Sequence, residues 1–350
     1  MATRYSIESL RTCAAALMTA TGFPGEVAAI VAERLVDADA MGHDTHGLQL
    51  LGPYLDDAAA GRMTLEGEPE VIADRPAAVT WDGRRLSGVW LTEMAVGLAI
   101  ERARACGQAT VAIRRSHHIA CLATFLPTAT RAGMMVTIAS SDPAVVSVAP
   151  HGGTKPLYTP NPIAVGIPTK GDPILIDISA SITTNGMSGR LAAAGRRMPY
   201  TAYLDAEGRP SDDPAVTLAD PPGSILPIGG VEYGHKGFGL ALMIEALTQG
   251  LSGYGRSQAP AEWGASVAVT VTDPAAFAGF DAFVRETGWL AEAARANPPR
   301  AGIERVRLPG EAGLARRRRA EKEGVALHPG IMEAMAARAR DRGIAVPEPV

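Results

Sequence analysis

The sequence predicts an α/β protein: a buried sheet layered with helices, preceded by a stretch that is helical throughout. Three observations carry this. Short apolar strands alternate with helical periodicity from about residue 78 to 180. The first 60 residues show apolar positions at helical spacing. The composition, 47% hydrophobic and 20% charged over 350 residues, supplies ample material for a core.

The elements follow in order. Leu10, Cys13, Leu17 and Met18 share a helical face, and Pro24 is suited to open a second helix carrying Val27, Val31 and Leu35, which Gly42 ends. Asp44 or Thr45 is expected to cap a third, with Leu48, Leu51 and Leu55 on one face and Gly61 as its stop. Ala78 to Trp81 reads as a strand closed by an Asp82-Gly83 turn, followed by a helix from Val89 to Ala105. A strand at Thr110 to Ile113, a helix from Ile119 to Ala132 and strands at Met134 to Ala139, Ile163 to Ile167 and Ile174 to Ile178 complete the alternation. Residues 180–234 are rich in Gly, Pro, Ser and Asp and predict long loops. Leu240 to Leu251 predicts an apolar helix, Ser266 to Val271 a strand, and the remainder a charged helical tail. The run Arg316 to Arg319 reads as a solvated helix end.

Composition excludes several classes. Net charge is −4, so nucleic acid is not an expected partner. Cys13, Cys106 and Cys121 form no CxxC pair and read as reduced core cysteines. No secretory leader is evident and no run of 18 apolar residues occurs, so the reading is a cytoplasmic protein without a membrane partner. There are four lysines against 29 arginines, which makes a lysine in an unusual context conspicuous.

Three segments carry candidate chemistry. Gly42-His43-Asp44-Thr45-His46-Gly47 sits at a loop-to-helix junction, where an imidazole can move a proton near neutral pH. His43 and His46 alone offer too few ligands for a metal, and none is predicted. Ser116-His117-His118 follows a strand, where ligand sites of α/β proteins gather. Gly234-His235-Lys236-Gly237-Phe238-Gly239 opens an apolar helix and suits a phosphate. In each case the bland alternative is a cap, a strand end or an exposed turn. The Gly-x-Gly-x-x-Gly fingerprint, His-Glu-x-x-His and the Gly-x-Ser-x-Gly elbow are all absent.

In order along the chain, GHDTHGLQLLGPYL, SHHIACLATF, TPNPIAVGIP, DISAS, YLDAEGRPSDDP, GHKGFGLALMIEAL and VRLPGE resemble the malate/L-lactate dehydrogenase family over roughly residues 5–345. The resemblance implies a non-Rossmann nucleotide-binding α/β domain with a buried sheet. It also implies a helical subdomain built from both chain ends: residues 1–72 with 300–350, around a cofactor domain at 73–299. It implies NAD or NADP as cofactor, a small anionic 2-hydroxy/2-oxo acid as substrate, and a homodimer. A cyclic imino-acid reductase and a catalytically retired binding protein on the same fold are the alternatives.

By the same resemblance, His46, Thr45 and His118 are the catalytic candidates. His118, Ile119, Ala120, Cys121, Leu122, Asp177, Ile178, Ser179, His235, Lys236, Arg307, Gly310 and Glu311 fall on cofactor segments. Thr159, Asn161, Asn185 and Gly186 fall on substrate segments. Three positions depart from the family: Leu50 stands where many relatives have arginine, Pro160 where they have threonine, and Met187 where the imino-acid reductases have aspartate.

Overall fold

The computed structural model describes residues 3–350. Its first three helices, α1 (Ile7–Ala20), α2 (Gly25–Met41) and α3 (Leu51–Ala59), occupy the expected stretches. The Ser6 hydroxyl accepts from Ser9 N–H to cap α1. Gly42, at φ 89°, ends α2 in the left-handed conformation that glycine adopts without strain. Leu10, Cys13, Leu17 and Met18 are fully buried, and each large side chain so placed contributes about 2 kcal/mol.

Neither Asp44 nor Thr45 caps the next helical segment. A 3₁₀ turn, Leu48–Leu50, begins there with Gly47 at its cap position, and the carboxylate that accepts from Leu48 N–H, at 2.7 Å, is Asp39 of α2. A side chain reaching up from the preceding helix thus replaces the local cap.

The remaining elements are β1 (Glu70–Arg75), β2 (Ala78–Asp82), α4 (Gly88–Cys106), β3 (Gln108–Ser116), α5 (Leu126–Arg131), β4 (Met135–Ser141), β5 (Pro162–Ile167), β6 (Ile174–Ser179), α6 (Asn185–Ala193), β7 (Tyr203–Leu204), β8 (Pro210–Ser211), β9 (Ser224–Ile225), α7 (Gly230–Tyr233), α8 (His235–Glu245), β10 (Ala265–Thr272), α9 (Phe280–Ala296), α10 (Glu311–Glu323) and α11 (Ile331–Asp341).

Seven strands form one sheet in the order β1-β2-β3-β10-β4-β5-β6. The β2–β3 pair is parallel and the other pairs are antiparallel. Helix α4 makes the β2-to-β3 crossover. In β10, at the centre, Ala265 to Val269 are buried without a break, as expected for a strand covered on both faces.

Several expectations are corrected. Residues 119–121 are not helical: Ala120 has φ 56°, and after a 3₁₀ turn at Leu122–Thr124 the helix begins only at Leu126. Residues 180–234 hold α6, α7 and a three-stranded sheet, β8-β7-β9, too short to leave a periodic signature. The apolar helix opens at His235, within the Gly234–Gly239 segment expected to start it, and widens into a π turn at Ala246–Gly250. Cys106 is exposed, at the end of α4. The arginine run is also better tied down than a solvated end: Arg317 lies 3.5 Å from Asp37 and Arg318 lies 2.8 Å from Asp172.

One apolar core runs from Leu10 in α1 through Ile113 in β3 to Met335 in α11. Helix α10 packs on α2, and α11 packs on α1 and α3. Tyr5 pairs with both Val325 and Pro349, so the two ends of the chain meet. A smaller core cluster around Tyr203, Tyr158 and Ile244 lies under the small sheet.

Candidate active site

A cleft of about 700 Å³ opens between the turn after α2, the segment after β3, the outer strand β6 and the start of α6. The turn at residues 43–47 is fixed by short-range bonds: His43 N–H donates to Ala38 O at 2.8 Å and His46 N–H to His43 O at 2.9 Å. Gly47 lies against the Asp39 carboxylate so closely that any Cβ would collide with it. Thr45 Oγ1 is 2.8 Å from His46 Nδ1, so the side chain before the histidine orients its ring.

The opposite wall is the turn out of β3. The Ser116 hydroxyl donates to His117 O at 2.8 Å and to Ala265 O at 3.1 Å, fixing the strand end. His118 is then held from three sides. The Tyr54 hydroxyl lies 2.8 Å from its Nδ1, Ala120 N–H donates to the same nitrogen at 3.3 Å, and the Trp263 ring stacks on the imidazole at 4.7 Å. His117 points away into the core, its Nε2 2.9 Å from Asp57 Oδ2.

His46 and His118 therefore face one another, ring centroids 6.1 Å apart and 24° from parallel. Each has Nδ1 engaged, and among the described residues neither has a partner at Nε2. Burial, then the nearby His43 and Arg190, pushes His46 down to about 4. Burial, then His46 and His117, holds His118 well below the usual imidazole range. Both rings are neutral at physiological pH and able to accept a proton.

The third side is formed by Thr159-Pro160, Asp177-Ile178-Ser179 and the stretch from Ile182 to Met187. Gly186 packs on Thr45, where a Cβ would lie 3.4 Å from the threonine Cβ. Arg190, one turn further along α6, donates to Asp44 Oδ1 at 2.7 Å, to Asp44 O at 2.9 Å and to the Gln49 side chain, fastening α6 to the histidine turn. Leu50, Met187, Met198 and Tyr200 add an apolar surface.

The fold thus gathers His46, Thr45, His118, Ile119, Ala120, Cys121, Leu122, Asp177, Ile178, Ser179, Thr159, Asn185 and Gly186 around one space. Asn161 is not on that surface. It is fully buried at φ 50°, where it donates to Glu245 Oε1 at 2.9 Å and accepts the Thr159 hydroxyl at 2.7 Å. His235, Lys236, Arg307, Gly310 and Glu311 are also outside the lining. His235 packs near His151, Lys236 lies over the Tyr233 ring, Gly310 abuts Leu175, and Glu311 is paired with Arg295.

Three further residues shape the site: Tyr54, Trp263 and Asp39. Tyr54 looks in sequence like one more apolar residue of α3, and Trp263 stands in an aperiodic loop. Asp39 reads in sequence like any acid of a surface helix, and only the fold buries it.

Paired neutral imidazoles with free Nε2 atoms in a sheet-edge cleft are an arrangement able to accept a proton, and the chain's relatives are oxidoreductases. The chain belongs to the malate/L-lactate dehydrogenase family, whose profile matches residues 5–336. It is 28% identical to an L-lactate dehydrogenase of Cupriavidus necator over 98% of this chain and 99% of that protein. It is 36% identical to the (2R)-3-sulfolactate dehydrogenase (NADP(+)) of Chromohalobacter salexigens over 72% of this chain and 73% of that protein. The fold is similar to malate dehydrogenase from Pyrococcus horikoshii, with a TM-score of 0.88 and 26% identity over 99% of this chain and 97% of that one. It is also similar to the Δ1-piperideine-2-carboxylate reductase of Pseudomonas syringae, with a TM-score of 0.84 and 28% identity over 96% and 99% of the two chains.

Proposed function

We propose that the protein transfers hydride between a nicotinamide cofactor, NAD or NADP, and a small anionic 2-hydroxy/2-oxo acid. The observation that carries this is the facing pair His46 and His118, each with Nδ1 engaged and Nε2 free. The cleft suits such a cofactor: its volume, the Trp263 face, the backbone of residues 118–122 and the hydroxyls of Ser140, Ser141 and Ser179 match an aromatic, hydroxyl-rich ligand. When bound, NAD(P) would supply or take the hydride, and the protein orients the reactants and moves the proton.

In the oxidation direction, His118 accepts the substrate hydroxyl proton at Nε2. For Nε2 to accept, the ring carries its hydrogen on Nδ1 and donates it to the Tyr54 hydroxyl, which in turn donates to His118 O at 3.5 Å; the 3.3 Å bond from Ala120 N–H to Nδ1 belongs to the other tautomer. His46, fixed by Thr45, holds the substrate oxygen from the other side. Residues 1–72 with 300–350 are proposed as the helical unit, around a cofactor unit at 73–299. The exposed apolar side chains Leu242, Met243 and Leu251 support a homodimer. Three unpaired cysteines are in keeping with a cytoplasmic location. No described helix is long and apolar enough to cross a membrane.

The similarity to the piperideine-2-carboxylate reductase supports a second reading, reduction of a cyclic imine. Met187, where those reductases have aspartate, disfavours it. A screen of 2-hydroxy acids, sulfolactate and cyclic imines with each nicotinamide cofactor, followed by absorbance, tests both. Turnover of a cyclic imine but of no hydroxy acid would overturn the first reading, and turnover of neither would overturn both.

A further inference from the structure

His43, Cys121 and Asp177 come from the turn after α2, the segment after β3 and strand β6. Their ligand atoms nevertheless all lie within 4.8 Å of one another. The Cys121 thiol donates to Asp177 Oδ2 at 3.7 Å, and Ala123 N–H holds the same oxygen at 2.9 Å. All three side chains line the cleft. The sequence offered His43 and His46 as two ligands without a third. The fold instead turns His46 toward Thr45 and brings a thiol and a carboxylate to His43.

We propose that His43, Cys121 and Asp177 form a binding site for a divalent transition metal of the zinc type, and that metal held there excludes the nicotinamide cofactor.

Imidazole nitrogen, thiolate sulfur and carboxylate oxygen are the three donor types zinc takes, and three protein ligands leave a fourth position open toward the cleft. Zinc at about 2.0–2.3 Å from each ligand needs donor atoms roughly 3.5–4 Å apart. The Cys121–Asp177 pair already has that spacing, and a rotation of half-buried His43 closes the rest. Magnesium and calcium, which require all-oxygen shells, do not suit a site with a thiol.

Coordination converts the thiol to thiolate, its proton leaves to solvent, the metal–sulfur bond forms, and no oxidation state changes. The exclusion of cofactor rests on the functional reading above, in which the backbone beside Cys121 and the strand end at Asp177 contact the nicotinamide cofactor.

The test uses the full chain, freed of metal with a chelator and titrated with Co²⁺ and Zn²⁺. Expected are a near-ultraviolet thiolate-to-cobalt band, its loss in Cys121→Ser, and at least tenfold weaker Zn²⁺ binding in His43→Asn. Absence of the band, or its persistence in Cys121→Ser, overturns the site. If Cys121→Ser does not fold, unchanged Zn²⁺ affinity in His43→Asn overturns it. NADH and NADPH binding is then followed by fluorescence, and zinc is expected to weaken it at least tenfold in the wild type but not in His43→Asn. Cofactor binding indifferent to zinc overturns the exclusion and leaves the functional reading standing. Failure of the metal-free protein to bind either cofactor overturns that reading and the exclusion with it, while the cobalt band still decides the site.

Discussion

The Tyr54 hydroxyl, fully buried in α3, lies 2.8 Å from Nδ1 of His118, tying the helical part to the turn after β3. Tyr54 is a positioning residue: it does not line the cleft but fixes the ring that does. Tyr54→Phe is expected to lower kcat about tenfold with KM nearly unchanged, and to cost about 1 kcal/mol of stability. His118→Ala removes the proposed proton acceptor and is expected to lower kcat by about 10²–10⁴. Steady-state kinetics of the two variants test this, and a Tyr54→Phe enzyme with wild-type kcat would remove Tyr54 from the site.

Asp39 makes stability depend on pH in an unusual direction. Burial pushes its carboxyl up from an ordinary 3.8 to about 7, and among the described residues its Oδ1 has no partner. An acid whose folded value is raised binds more protons folded than unfolded, so its stabilising contribution is full at low pH and is lost as pH rises from about 4 to about 7. Asp39→Asn is expected to gain stability relative to the wild type across that window. Thermal melts at pH 4 and pH 8 measure this, and a constant difference would contradict it.

Arg190 holds the histidine turn and lowers the affinity of His46 for protons. Replacing it with Met removes that positive charge, so His46 should rise from about 4 and the acid limb of kcat/KM should move to higher pH. A limb that stays in place or moves to lower pH would show that the guanidinium does not act on His46.

Gly47 leaves no room for a side chain beside Asp39. Gly47→Ala is expected to cost about 1–3 kcal/mol and to reduce activity further by shifting His46. Denaturant unfolding alongside activity checks both, and a variant with full activity and stability would mean that the turn moves aside freely.

The large helices and the inner strands were legible because their apolar periodicity survives into the fold. Strand β1 was not, because all six of its residues are exposed and its outer face carries no alternation. The small sheet escaped notice because two-residue strands have no period. At the site, the histidines stood out as residue types, but their partners did not. Tyr54 and His118 are 64 residues apart, and nothing local to either marks the bond. Asp39 in place of Asp44 shows the same limit at short range, since a cap supplied from the preceding helix is indistinguishable in sequence from an ordinary surface acid.

The meeting of the chain ends bears on how the protein is made. The segment carrying His46 is translated well before α10 and α11, which pack on α2 and on α1 and α3. Until then Leu10, Leu17 and Leu35 lie on a nascent surface without its final neighbours. The interval between those two events, about 270 residues of synthesis at 5–20 residues per second, leaves that apolar surface uncovered for tens of seconds.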